Sequence, residues 1–219
     1  MKYIITEDQL EIIKDNILKV PFIALNKNRH VLKRFLDKRG NPPYILKGDI
    51  YWSGDQEITT LGNLISVDGS LYLDDSSIES LGSLISVKDS LDLSRTEIET
   101  LGNLTSVGGY LDLERCKKLK SIGNLTYVRS IYLQGTKIES LENLTSVEGS
   151  IRLNRTPVKS LGNLITVGGD FDISNTQIES FGNLKTIEGN LFLQNTPLSK
   201  NNSYEEIREM IKVGEEIYL

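Results

Sequence analysis

From Leu61 to Lys200 the apolar and polar residues follow one recurring order, Leu-Gly-Asn-Leu-x-x-Val-x-Gly-x-Leu-x-Leu-x-x-Thr-x-Ile-x-x. Seven copies lie end to end, at 61–80, 81–100, 101–121, 122–140, 141–160, 161–180 and 181–200. Five are 20 residues long. The third has one residue more, at Cys116–Leu119 beside Lys117, Lys118 and Lys120, and the fourth has one fewer. A repeat kept this strictly marks a stack of equivalent coils. Within each copy the Leu-x-Leu pair, such as Leu71 and Leu73, alternates with period two and predicts a short, half-buried strand. One such strand cannot bury its apolar face alone, whereas stacked copies pair into a parallel sheet over a continuous core. The second apolar cluster, Ile78, Leu81, Leu84 and Val87 and its counterparts, must bring the chain back. About 13 residues remain for that return, too few for a full helix, so extended or 3-10 segments are expected. Leu46, Ile50, Trp52 and Ile58 predict a degenerate earlier coil, making about eight rungs.

The flanks break this order. Ser203 and Glu206 form a capping box ahead of a short helix with Ile207, Met210 and Ile211 on one face, ended by Gly214 and followed by a last strand at Ile217-Tyr218-Leu219. Thr6 and Gln9 form another, opening a helix with Leu10, Ile13 and Ile17 on one stripe. A second helix, after Pro21 and ending near Lys38, turns Val31, Leu32, Phe35 and Leu36 inward. The expected organisation is a helical, basic cap at 1–45, a solenoid at 46–200 and a C-terminal cap at 201–219.

This repeat resembles the leucine-rich repeat over roughly residues 46–200. The family's core pattern maps onto Leu71-x-Leu73-x-x-Ser76-x-Ile78 and its copies, and departs from it in two places. The usual Asn is replaced by Ser76, Thr96, Cys116, Thr136, Thr156, Thr176 and Thr196, and the first Leu by a Val one residue further upstream, such as Val67. The hydroxyls are expected to bond neighbouring backbone amides, with Cys116 an inert core thiol in their line. The resemblance implies an α/β repeat solenoid with its parallel sheet on the concave face and its partner bound there. The Gly of Leu-Gly-Asn-Leu invites a phosphate-loop reading, but it recurs in nearly every coil, which argues for turns. Glu142 replaces it once, from which the position is not expected to require a positive φ.

The residue between the paired apolar positions points out of the sheet. Down the stack this column reads Tyr51, Tyr72, Asp92, Asp112, Tyr132, Arg152, Asp172 and Phe192, with Tyr110 beside it. Arg95, Arg115 and Arg155 form a second column just past the strand ends. Tyr, Phe and Arg are the residues that anchor protein interfaces, and these twelve positions form the expected partner-binding surface.

Composition narrows the alternatives. One Cys and one His leave no disulfide framework and no zinc set; no cofactor and no metal are expected. Asp92 and Asp112 on adjacent rungs have the spacing of a glycosidase pair, but they sit on an open face, and Arg95 and Arg115 are expected to pair with them; the chain is read as not an enzyme. No apolar run is long enough to span a bilayer, and acidic Glu7 and Asp8 come too early for a signal peptide. A cytoplasmic protein follows as the expectation. The net charge of −5 divides into +4 over residues 1–49 and −9 over the remainder. Lys27, Arg29, Lys33 and Arg34 make the N-terminal helix a possible secondary basic contact, so a nucleic-acid or nucleotide binder is the alternative reading. Self-association through the stripe also stays open. The opening residues and short coils are, in addition, similar to open reading frames of tailed bacteriophages. That resemblance implies an anti-defence protein that inhibits a host enzyme or defence factor.

Overall fold

The computed structural model describes residues 18–20 and 29–219. The capping box expected at Thr6 and Gln9, the stripe of Leu10, Ile13 and Ile17, and Lys27 lie outside the described residues. In chain order the elements begin with β1 (Leu18–Val20), α1 (Arg29–Asp37), β2 (Tyr44–Lys47) and β3 (Ile50–Tyr51). Two short strands per coil follow: β4 (Leu64–Asp68) and β5 (Leu71–Tyr72), then β6 (Ser86–Val87) and β7 (Leu91–Asp92). In the third and fourth coils the two strands fuse into β8 (Ser106–Asp112) and β9 (Tyr127–Tyr132). Pairs resume with β10 (Ser146–Val147) and β11 (Ile151–Arg152), β12 (Thr166–Val167) and β13 (Phe171–Asp172), and β14 (Thr186–Ile187) and β15 (Leu191–Phe192). The chain ends with α2 (Pro197–Asn201), α3 (Tyr204–Met210), β16 (Lys212–Val213) and β17 (Ile217–Tyr218).

Every strand pairing among the described residues is parallel, and within the body it joins equivalent positions of successive coils. The fold is a parallel β-solenoid with two ladders of strands. One runs through the Val positions and the other through the Leu-x-Leu positions, and β8 and β9 belong to both. The return segment is therefore itself a ladder, and no 3-10 turn occurs among the described residues. Its third side also bonds coil to coil, through bridges such as Thr60 to Ser80 and Ser140 to Ser160. Extended backbone satisfies its N–H and C=O groups on the neighbouring coil, so the return needs no helix. Helices among the described residues stand only at the two ends, and the body is all-β rather than α/β. The ladder also continues upstream of residue 46, because β1 pairs with β2 in parallel register.

The core is a column of stacked aliphatic side chains. In coil 81–100, Leu81, Leu84, Val87, Leu91, Leu93 and Ile98 are all buried. Beside them runs the hydroxyl line, which corrects the sequence expectation. The hydroxyls of Ser76, Thr96, Thr136, Thr156, Thr176 and Thr196 donate to the carbonyl three residues back; of these, Thr196 also accepts a backbone N–H, that of Ser199. Each thereby supplies a donor to a buried carbonyl where the strand turns. Cys116 is fully buried in this line, its thiol 3.0 Å from the carbonyl oxygen of Leu93 in the preceding coil.

Two left-handed turns close each coil. The first carries Gly62, Gly82, Gly102, Gly123, Glu142, Gly162 and Gly182, with φ between 49° and 63°. Glu142 (φ 49°) therefore adopts the positive φ that the sequence reading did not require of it. The hydroxyl two residues earlier fixes the turn by accepting the amide N–H, at 3.0 Å from Ser140 to Glu142 and 3.1 Å from Ser160 to Gly162. The Asn that follows donates back to the preceding coil, as Asn163 does to the carbonyl of Glu142.

The irregular coils show how length errors are absorbed. Thr96 aligns with Cys116 but Ile98 with Leu119, which places the extra residue between Cys116 and Leu119. The missing one lies between Val128 and Ser130, where the register against Val107–Tyr110 shifts. Its loss removes the corner, so β9 runs straight and β8 straightens beside it.

The ends differ from expectation in detail. Leu32 and Leu36 of α1 are buried and Phe35 packs against the core, but Val31 is 38% exposed. In α3 Ile207 is buried, and Ile211 just past its end is too, while Met210 is 50% exposed. That helix stops at Ile211, which turns extended, and not at Gly214. Gly214 instead lies so close to the backbone of Glu188 that a Cβ would overlap the carbonyl. The short helix α2, capped by Thr196, was absent from the sequence reading.

Candidate functional site

The outward column forms one unbroken line. Register pairs join Tyr51 to Tyr72, Tyr72 to Asp92, Asp92 to Asp112 and Asp112 to Tyr132. They continue from Tyr132 through Arg152 and Asp172 to Phe192, and then to Tyr218. Tyr218 was missed because α2 and α3 intervene and break the 20-residue period; only the pairing of β15 with β17 reveals it. Nine rungs at about 4.8 Å make a stripe about 40 Å long.

The rings are ordered by one another. Tyr51 and Tyr72 stack with centroids 5.0 Å apart, and Phe192 and Tyr218 at 4.7 Å, both pairs 5° from parallel. At the centre Tyr110 lies 6.4 Å from Tyr132, and the guanidinium of Arg152 sits 5.2 Å above the Tyr132 ring. Burial, then a hydrogen bond with Tyr72 and the nearby Asp92 and Asp112, push the Tyr110 hydroxyl up to about 12. Tyr51 (67%) and Tyr218 (43%) are the most exposed rings of the stripe.

The stripe carboxylates have a structural task as well. Asp92, Asp112 and Asp172 each accept the backbone N–H two residues on, at 2.9, 2.8 and 3.0 Å, and so close the turn at the strand end. Burial raises the carboxyl of Asp112 above its ordinary range; the N–H of Glu114 opposes that shift and the charge of Asp92 adds to it.

The arginine column departs from expectation. Arg95, Arg115 and Arg155 occupy the second left-handed turn, with φ of 59°, 60° and 62°. Arg95 does not pair with Asp92. It clasps Asp75 of the preceding coil through two bonds of 2.7 and 2.6 Å and lies 3.7 Å from Asp74. Arg115 pairs with Glu114 at 3.2 Å, not with Asp112. Arg155 has no ion pair among the described residues. The reason is geometric: the left-handed turn swings each side chain away from the strand column.

The basic helix is likewise committed in part. Arg29 reaches Asp55 at 2.6 Å and Glu57 at 3.1 Å, and so ties α1 to the first coil instead of facing solvent. Lys33 pairs with Asp37 at 3.8 Å, and Arg34 bonds the carbonyl of His30. Two further atoms escaped the sequence reading. The side-chain oxygens of Gln134 and Asn154, on the rungs of Tyr132 and Arg152, are buried without a hydrogen-bond partner among the described residues.

Among the described residues no group of three or more His, Cys, Asp or Glu is placed to hold a metal ion. No helix among them is long and apolar enough to cross a membrane. No protein-family model, no curated protein and no solved structure matches the chain.

Proposed function

We propose that the chain is a leucine-rich-repeat-like binding module without chemistry of its own, capped at both ends, that grips a protein partner along the stripe. The observation that carries this reading is the ordering of the aromatic residues. Tyr51 on Tyr72, Phe192 on Tyr218 and Arg152 on Tyr132 hold one another in place before anything binds. Ordering interface side chains otherwise costs about 0.5–1.5 kcal/mol each. Tyr and Arg are also the side chains that carry most binding energy at protein interfaces.

The nucleic-acid alternative draws less support, because Arg29, Arg95 and Arg115 are neutralised within the fold. A phage origin, which the short coils suggest, would make the partner a host enzyme or defence factor met in the bacterial cytoplasm. The test is affinity capture from bacterial lysate with wild type and with a Tyr72→Ala/Tyr132→Ala/Arg152→Ala variant. The expected result is one protein retained by the wild type and lost by the variant. Nucleic acid retained by both and released by salt would overturn the reading.

A further inference from the structure

Along the stripe one pair of like charges stands on adjacent rungs. Arg95 is spent on Asp75 and Asp74, Arg115 on Glu114, and Arg152 stands in register beside Asp172. Asp92 and Asp112 remain. They are adjacent in register, about 4.8 Å apart along the ladder. Neither has an ion pair among the described residues. Each spends one oxygen, Oδ1, on the turn N–H, which leaves Oδ2 outside that bond. Burial is the main cause of the raised Asp112 carboxyl, and the charge of Asp92 adds to it.

Three rings frame this pair. Tyr72 lies on the rung before Asp92 and Tyr132 on the rung after Asp112. Tyr110 lies among them, its ring 6.4 Å from that of Tyr132, and after burial Tyr72, Asp92 and Asp112 all oppose its ionisation. Ring faces attract cations, and two adjacent carboxylates, whose charge the nearby Arg95 opposes without an ion pair to either, attract them more strongly. A neutral or acidic segment would leave this repulsion unrelieved.

Resting on the protein-binding reading, we infer that Asp92 and Asp112, framed by Tyr72, Tyr110 and Tyr132, receive a cationic side chain of the partner protein, an arginine or lysine. Its charged head sits between the two Oδ2 atoms and its alkyl stem lies along the rings. The neighbouring Arg152 excludes a second cation, so the site takes one basic residue and the flanking stacks take apolar ones.

The probe is the peptide acetyl-Gly-Arg-Gly-amide, titrated into the full chain with its tyrosine rings labelled for NMR. The same peptide with citrulline for arginine, matched in shape and uncharged, is the control. Saturable shifts at Tyr72, Tyr110 and Tyr132 with the arginine peptide alone are expected. They should weaken about tenfold in an Asp92→Asn/Asp112→Asn variant and fall with added salt. Asparagine keeps Oδ1 as acceptor for the turn N–H, and an unchanged melting midpoint confirms that the variant is folded. No shifts, equal shifts with both peptides, or shifts that survive in the variant overturn the inference. The lysate capture separates this failure from that of the broader reading. A partner still retained by Asp92→Asn/Asp112→Asn removes the cation site and leaves the binding stripe standing. A wild type that retains no protein removes the stripe itself.

Discussion

Glu142 offers a test of how strictly the coil dictates its backbone. It holds φ 49° where six other coils place glycine. An L-residue in that region costs roughly 1–2 kcal/mol from contact between its Cβ and the following carbonyl. Glycine escapes this cost but loses about 0.4–1 kcal/mol more on folding, because its unfolded chain is freer. The backbone bonds are indifferent to the side chain: the N–H of Glu142 still donates to Ser140, and its carbonyl still accepts from Asn163. Glu142→Gly should therefore stabilise the protein by about 0.5–1 kcal/mol. Glu142→Ala keeps the strained φ and should stay within about 0.5 kcal/mol of wild type. The reverse change at the next coil, Gly162→Ala, should be the most harmful, since a Cβ there meets the carbonyl oxygen of Glu142 at 2.7 Å. Urea unfolding followed by circular dichroism measures all three. If Glu142→Gly unfolds at the same or a lower urea concentration than wild type while Glu142→Ala is unchanged, the strain argument is wrong.

Three further outcomes follow from particular side chains. Tyr110 should ionise near pH 12 in the native protein; because its folded pKa lies above the unfolded value, its contribution to stability is present below about pH 10 and is lost as the pH rises through 12. Titration of its ring resonance checks the value, and Tyr72→Phe should bring it down. Cys116, fully buried and with its thiol pushed up by burial, should resist a thiol reagent until urea unfolds the chain; fast labelling of native protein would contradict its place in the hydroxyl line. Phe171→Ala, at a fully buried rung of the core, should cost about 3–5 kcal/mol by denaturant unfolding, and a loss below 1 kcal/mol would mean that the stack collapses around the gap.

The parts of this structure legible in the sequence are those that repeat. Period two at Leu71 and Leu73 placed the strand, its faces and the outward column from Tyr51 to Phe192, because equivalent residues of stacked coils must align. What escaped depends on contacts a period does not encode. A glutamate at 142 carries no mark of a left-handed φ; the neighbouring coils impose it. Arg95 pairs one coil back with Asp75 because its own turn is left-handed, which alternation along a strand cannot reveal. The strands of the second ladder, such as Ser86–Val87, carry one apolar residue in most coils, where the first ladder has the pair Leu71 and Leu73, so they leave no alternating signal. The stacking of Phe192 on Tyr218 crosses an insertion of two helices. Of the candidate site, the column and its adjacent carboxylates were legible; its ring stacks, its turn-closing aspartates and the pairing of Arg95 and Arg115 away from Asp92 and Asp112 were not.

The central claim, that the stripe is the surface which meets a protein, is tested most directly by photo-crosslinking in living bacteria. A photoreactive phenylalanine replaces Tyr51 or Phe192 on the stripe, or Ile165, an exposed residue just before β12 of the other ladder. The account predicts one protein adduct of the same mass from Tyr51 and Phe192 and none from Ile165. Adducts from Ile165 alone, or crosslinks to nucleic acid at the stripe positions, would contradict it.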